Sequence, residues 1–180
     1  MPTETITTAE QLWENPPEGP CELVRGELRI LPLSGGEHGW VSANTAAALA
    51  TFAKAYGLGY VLAAGAGFIM ERHPDTVRAP DVAFVRRDRV PDQLPRKFVP
   101  GPPDIAVEVL SPSDSASAVH EKAEQWLTSG CCEVWLIDPR RKSASKCTLA
   151  DQAIVLTPMQ RLASELLPGF DLPVEQLFER

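Results

Sequence analysis

Apolar residues recur at two different spacings along the chain, and the switch between them marks the predicted elements. From His38 to Tyr56, Val41, Thr45, Ala48, Leu49, Phe52, Ala53 and Tyr56 fall three and four apart, the period of a helix with one buried face; Gly57 supplies a stop. A shorter helix is predicted near the start. Thr7-Thr8-Ala9-Glu10 has the form of a capping box ahead of Leu12 and Trp13, and Asn15-Pro16-Pro17 ends the run. Between these helices, Cys21–Val24 and Glu27–Leu31 alternate about Arg25-Gly26, which predicts an antiparallel hairpin with a tight turn.

Period two returns near Tyr60–Ala64, Gly67–Glu71 and Pro80–Val85. Residues 86–103 then form a basic, proline-rich connection that includes Arg86, Arg87, Arg89, Pro91, Arg96 and Lys97; loops of that length are commonly functional or mobile. Asp104–Leu110 is a near-continuous apolar strand. Ser113 or Asp114 can cap a helix running to Ser129 and stopping at Gly130, and Glu133–Ile137 is a second apolar strand closed by Asp138-Pro139. Weaker strands follow near Ser145–Ala150 and Ala153–Leu156, and Pro173–Glu179 reads as a last helical turn. Early hairpins followed by a strand–helix–strand crossover predict an α/β fold: a mixed sheet flanked by helices, in one domain over residues 1–180.

Composition narrows the function. With 44% hydrophobic and 23% charged residues, whole-chain disorder is excluded. Seventeen basic against 24 acidic residues leave a net charge of −7, which argues against coating nucleic acid by bulk electrostatics but permits a local basic groove. Basic groups gather only between Arg86 and Lys97 and at Arg140-Arg141-Lys142. The four cysteines Cys21, Cys131, Cys132 and Cys147 form no C-x-x-C pair, so reduced, non-catalytic thiols in a cytoplasmic protein are expected. No run of 18 apolar residues exists, and Met1-Pro2-Thr3-Glu4 is unlike a secretory signal, so no membrane association is expected.

The candidate chemistry centres on Glu108. Strand alternation puts it on one face with Ala106 and Leu110, and Ile105, Val107 and Val109 on the other. A lone ionised carboxylate buried there costs several kcal/mol in order of magnitude, so a metal, a basic partner or a water-filled cleft must keep it, unless the strand is open to solvent. Asp81 begins another strand after Pro80; alone, it reads as a turn residue. Two carboxylates on neighbouring strands suit Mg²⁺ or Mn²⁺, which bind one or two carboxylates with substrate phosphate and water. Lys122 lies beside the apolar stripe of Val119, Ala123, Trp126 and Leu127, where it can project toward the sheet or into solvent. Trp126 and Trp135 read as core aromatics, and His73 and His120 as loop or exposed residues.

Together Asp81, Glu108 and Lys122 resemble a PD-(D/E)-x-K site. The chain as a whole is similar to the Uma-two family of restriction-endonuclease-like proteins. The matching segments are Glu22-Leu23-Val24-Arg25-Gly26-Glu27-Leu28, His38-Gly39, Ala79–Val85, Pro103–Ser113, Glu121-Lys122, Glu133–Pro139 and Leu167-Pro168-Gly169-Phe170, in order over roughly residues 5–178. The resemblance implies a restriction-endonuclease-like fold and a metal-dependent endonuclease acting on nucleic acid, DNA before RNA, as a homodimer. By the same resemblance Asp81 and Glu108 would hold Mg²⁺ or Mn²⁺ with the carbonyl of Val109. Lys122 would orient or activate water and steady phosphate charge, Glu22 would add a carboxylate at the site edge, and His38 would contact phosphate or ligand. One departure stands out: Leu110 occupies the place of the usual lysine, and Lys122 would replace it from the helix. Two other readings stay open, a nuclease fold kept as an inactive interaction or regulatory domain and a hydrolase for a small phosphodiester.

Overall fold

The computed structural model describes residues 5–90, 93–151 and 153–179. The N-terminal Met1–Glu4 stretch and Pro91 of the basic connection lie outside the described residues. Helix α1 (Ala9–Glu14) is capped by Thr8, whose hydroxyl accepts from the Gln11 amide while the Gln11 side chain accepts from the Thr8 amide. The capping box therefore stands one residue later than the Thr7–Glu10 reading. Glu10 is engaged elsewhere, 2.9 Å from Arg72.

Strands β1 (Cys21–Val24) and β2 (Glu27–Ile30) form the expected hairpin, and Arg25 and Gly26 both take positive φ, 51° and 76°. That pair of left-handed residues matches the strand twist in a two-residue turn. Helix α2 (Gly36–Ala55) buries Val41, Thr45, Leu49 and Ala53, whereas Tyr56, read as part of its apolar face, is 67% exposed. Next come β3 (Gly59–Ala63), β4 (Phe68–Glu71), β5 (Thr76–Arg78), β6 (Val82–Arg86), the short β7 (Val99–Pro100) and β8 (Ile105–Val109). Helix α3 (Ala116–Thr128) is capped by Ser115, not by Ser113 or Asp114; the Asp114 carboxylate instead closes a turn by accepting from the Ser111 amide at 2.7 Å. The chain continues through β9 (Glu133–Asp138), β10 (Ser143–Cys147), β11 (Ile154–Leu156), β12 (Arg161–Ala163) and β13 (Asp171–Pro173), and a 3-10 turn spans Val174–Phe178.

Among the described residues the strands make a six-stranded sheet in the order β11-β10-β9-β8-β6-β3, a five-stranded sheet β2-β1-β5-β4-β7, and a β12-β13 pair. The larger sheet is mixed: β8 and β9 run parallel, joined by the α3 crossover, and the other pairings are antiparallel. Its two faces are served by alternate residues of β8. Ile105, Val107 and Val109 pack with Val41, Leu49 and Ala53 of α2, while Ala106 packs with Ala123 and Trp126 of α3. The sheet is thus the expected mixed layer flanked by helices. Strands β5, β7, β12 and β13, of two or three residues each, are additions to the elements the pattern predicts.

The basic connection is less available than its sequence suggests. Arg86 and Arg89 both pair with buried Asp104, at 3.2 and 3.3 Å. No helix among the described residues is long and apolar enough to cross a membrane.

Candidate active site

Glu108 is 8% exposed and projects from β8 toward α3. The solvent-facing reading is therefore ruled out, and the basic partner is real. Its Oε2 accepts from Lys122 Nζ at 2.8 Å and its Oε1 from Trp126 Nε1 at 2.8 Å. Lys122 and Trp126 stand four residues apart, so one face of α3 delivers both donors. The parallel crossover folds this helix back over the sheet, which brings Lys122 to the strand that precedes it.

Lys122 also reaches the other sheet. Its Nζ lies 3.7 Å from Glu22 Oε1 on β1, and Glu22 is 2% exposed. Leu23 pairs with Val77 across the antiparallel β1–β5 ladder, so Glu22 and Arg78 stand opposite one another. Arg78 Nη1 donates to Glu22 Oε2 at 2.7 Å, and the Ala79 amide donates to Glu22 Oε1 at 3.3 Å. Arg78 Nε is buried with no partner among the described residues. A chain of alternating charge, Glu108–Lys122–Glu22–Arg78, thus joins the two sheets.

Asp81 sits at the head of β6, beside the end of β8. Its amide donates to the Val107 carbonyl at 3.0 Å, and its Oδ2 accepts from the Val109 amide at 2.8 Å. His38, in the first turn of α2, places Nε2 3.2 Å from the same oxygen. His38 is therefore turned onto Asp81, and Ser42 Oγ lies one helical turn on, 3.5 Å from His38 Nδ1.

The electrostatics follow from burial and these contacts. The hydrogen bond to Asp81 raises the His38 pKa; burial opposes the rise, and the Asp81 charge and the Val109 carbonyl add to it. Burial pushes Glu108 up, opposed by the Lys122 ammonium, with Asp81 and Glu22 adding to the rise. For Lys122, burial works to lower the pKa, but Glu108 and Glu22 outweigh it and the value is raised. Lys122 is accordingly an ammonium at neutral pH.

The five residues singled out in the sequence form two groups about the end of β8, Glu108, Lys122 and Glu22 in one and Asp81 and His38 in the other, and among the described residues no hydrogen bond or ion pair joins the side chains of the two groups. Arg78 and the hydrogen-bonding role of Trp126 were missed. Trp126 carried one usable signal, its spacing of four from Lys122; Arg78 lies in a strand too short to show alternation.

Among the described residues no group of three or more His, Cys, Asp or Glu is gathered as a metal cage. Mg²⁺ does not require one, since it is commonly held by one or two carboxylates together with substrate phosphate and water. Asp81 Oδ1 makes no hydrogen bond or ion pair among the described residues, and each Glu108 oxygen keeps a lone pair beyond its one donor. Asp81 and Glu108, on adjacent antiparallel strands, are thus hard oxygen donors with capacity left for such a cation.

The fold has a solved counterpart: a "putative nuclease belonging to DUF820" from Anabaena variabilis ATCC 29413, at 20% sequence identity and TM-score 0.82, covering 95% of this chain and 97% of that one. No curated protein matches the chain. Residues 8–175, which carry every site residue above, match the Uma2 family, described as "Putative restriction endonuclease", and the chain belongs to that family.

Proposed function

We propose that the protein is a Mg²⁺- or Mn²⁺-dependent endonuclease that hydrolyses phosphodiester bonds in nucleic acid, DNA in preference to RNA. The observation that carries this reading is the Lys122 ammonium held between Glu108 and Glu22, with Asp81 at the adjoining strand end. Lys122 and Arg78 balance Glu108 and Glu22, so Asp81, beside His38, is the acidic group left over, which suits a site completed by a further cation and an anionic substrate. The family description favours DNA.

Asp81 and Glu108 would hold the metal, which when bound lowers the pKa of water and offsets the phosphate charge. The remaining roles belong to the chain. Lys122 orients the attacking water and steadies developing charge on the phosphate. Trp126 and Lys122 fix the Glu108 carboxylate, and the Val109 amide and His38 fix Asp81. Arg78 holds Glu22, which draws Lys122 toward the second sheet. Two such sites would serve two strands in a homodimer, the commonest closed assembly; a sedimentation mass near 19.6 kDa would remove the dimer.

The test is purified protein with Mg²⁺ or Mn²⁺ on single-stranded and duplex DNA and RNA, with chelator, Asp81→Ala and Lys122→Ala as controls. Cleavage is expected with metal and lost in all three controls. Cleavage that survives Asp81→Ala, or no cleavage of any polymer, overturns the proposal. Turnover of a small phosphodiester alone, without the steep salt dependence of polymer binding, points to the small-substrate hydrolase; no turnover at all points to the interaction domain.

A further inference from the structure

Of the clefts among the described residues, one lies along α3 and another beside Asp81, and their chemistry separates them. The larger, about 810 Å³, runs between α3 and the β9–β10 side of the sheet. Asp114, Glu124, Asp138 and Asp151 line it against Arg140 and Arg141, so a polyanion meets an excess of carboxylates there. The second, about 510 Å³, opens beside Asp81, on the five-stranded sheet's side, between α1, the Leu31–Ser34 loop and the β3–β4 turn. In a chain of net charge −7, its only charged lining residues among those described are Arg78 and Asp81.

We propose that this second cleft is a subsite for one unpaired nucleotide of the substrate strand, next to the scissile phosphate, so that the protein acts on single-stranded or locally opened DNA. The inference rests on the endonuclease reading for the place of that phosphate at Asp81. Three features carry it. The volume lies within the range of roughly 300–1,000 Å³ for small-ligand pockets, which admits a nucleotide but not a duplex. The inner wall is apolar, the half-buried Phe98 ring backed by buried Leu12 and Val77, and that ring takes the face of a base with little regard to its identity. The rim has one stretch of bare backbone, at exposed Gly65, which has φ +91° and faces open space. Gly67 is buried behind it, and a Cβ there would lie 2.5 Å from the Phe98 ring, so that ring stays against the cleft only because position 67 has no side chain. A sugar–phosphate chain can therefore approach the protein backbone closely at Gly65, without meeting an acidic side chain other than Asp81.

Ala64 and Ser34 line the cleft from exposed positions and can be enlarged without disturbing the core; Ala153, also exposed, lines the other cleft. The probe is a fluorescein-labelled oligothymidylate of about twelve nucleotides, within the span of known single-strand sites, beside a hairpin duplex carrying the same label. Anisotropy titrations use Ca²⁺ in place of Mg²⁺ so that turnover does not enter, and melting curves confirm that each variant is folded. Ala64→Trp and Ser34→Trp should each weaken single-strand binding by about tenfold, the scale of one lost stacking contact. Ala153→Trp should leave binding unchanged, and wild type should prefer the single strand. The subsite is overturned if wild type does not bind the oligonucleotide, if duplex is preferred, if both cleft-filling variants bind as wild type, or if Ala153→Trp is the variant that weakens binding. The two readings fail separately. Binding that follows the expected pattern with no cleavage keeps the subsite and removes the endonuclease, whereas duplex cleavage indifferent to Ala64→Trp does the reverse.

Discussion

Lys122 Nζ meets Glu108 Oε2 at 2.8 Å from a helix that also holds the carboxylate's other oxygen through Trp126 Nε1, again at 2.8 Å. This one contact closes the crossover between β8 and α3 on its functional side. It makes a buried charge tolerable on a strand whose neighbours are apolar.

Removing the lysine should therefore harm more than catalysis. Lys122→Met leaves Glu108 and Glu22 as neighbouring buried carboxylates without their shared cation. Because the lysine side chain is 27% exposed, a loss on the order of 2 kcal/mol is expected, below the roughly 3–5 kcal/mol for breaking a fully buried pair. Lys122→Met with Glu108→Gln should recover part of that loss in urea denaturation. A double variant less stable than Lys122→Met alone would contradict the pairing. Cleavage by either single variant should fall by about 10²–10³-fold or more.

Trp126 is expected to matter through its indole N–H as well as its bulk. Trp126→Phe keeps most of the packed ring but leaves Glu108 Oε1 without a donor, at a cost of about 1–3 kcal/mol. Denaturation midpoints check this. If Trp126→Phe is neutral in the wild type, the hydrogen bond contributes nothing measurable.

Asp75 predicts a feature of the acid limb. It is 4% exposed, and its carboxylate accepts from the Ala9 amide at 2.8 Å, from Arg72 Nη1 at 2.8 Å and from the His73 amide at 3.3 Å. Burial pushes its pKa up, but the Ala9 and His73 amides and then Arg72 outweigh it, and the net shift is downward. The folded state therefore binds the proton less readily than the unfolded chain. The stabilisation is complete above the unfolded value of about 3.9 and is lost as pH falls through the lower folded value. Asp75→Asn should be less stable than wild type at neutral pH and should lose less on going from pH 5 to pH 2 (roughly the window of that linkage). Parallel acid limbs for the two proteins would refute the assignment.

The thiols should separate by exposure. Cys132 is exposed, while Cys131 and Cys147 are buried. Burial pushes the Cys131 thiol up to about 12, which leaves almost no thiolate near neutrality. Iodoacetamide on the folded protein near pH 8, a usual alkylation pH below the free-thiol value of about 8.5, should modify Cys132 first and spare Cys131 until denaturant is added. Peptide mass spectrometry reads the order. Prompt labelling of Cys131 in the folded protein would show that its surroundings open.

Local pattern made much of this protein legible. The three-and-four spacing of Val41, Thr45, Leu49 and Ala53 specifies which face of α2 is buried. The alternation about Glu108 specifies which of its neighbours share its face, because strand side chains have a strict period of two. The acidic residues, the lysine and their order were equally readable, together with the crossover that returns α3 to the sheet.

Only the tertiary structure decided what each charge meets. Sequence allowed Lys122 to face solvent or sheet; the packing of α3 on β8 chose Glu108. Arg78 was invisible because its strand has three residues, all buried, and shows no alternation to read. Its partner Glu22 lies 56 residues away and is brought opposite only by the β1–β5 ladder. The same holds for Arg86 and Arg89, whose charges look free in the sequence and are occupied by Asp104 in the fold. Hydrophobic periodicity is a property of neighbours along one element, and one chain displays it. Charge pairing depends on distances across elements, which exist only once the sheets have set their register and the helix has crossed back over them.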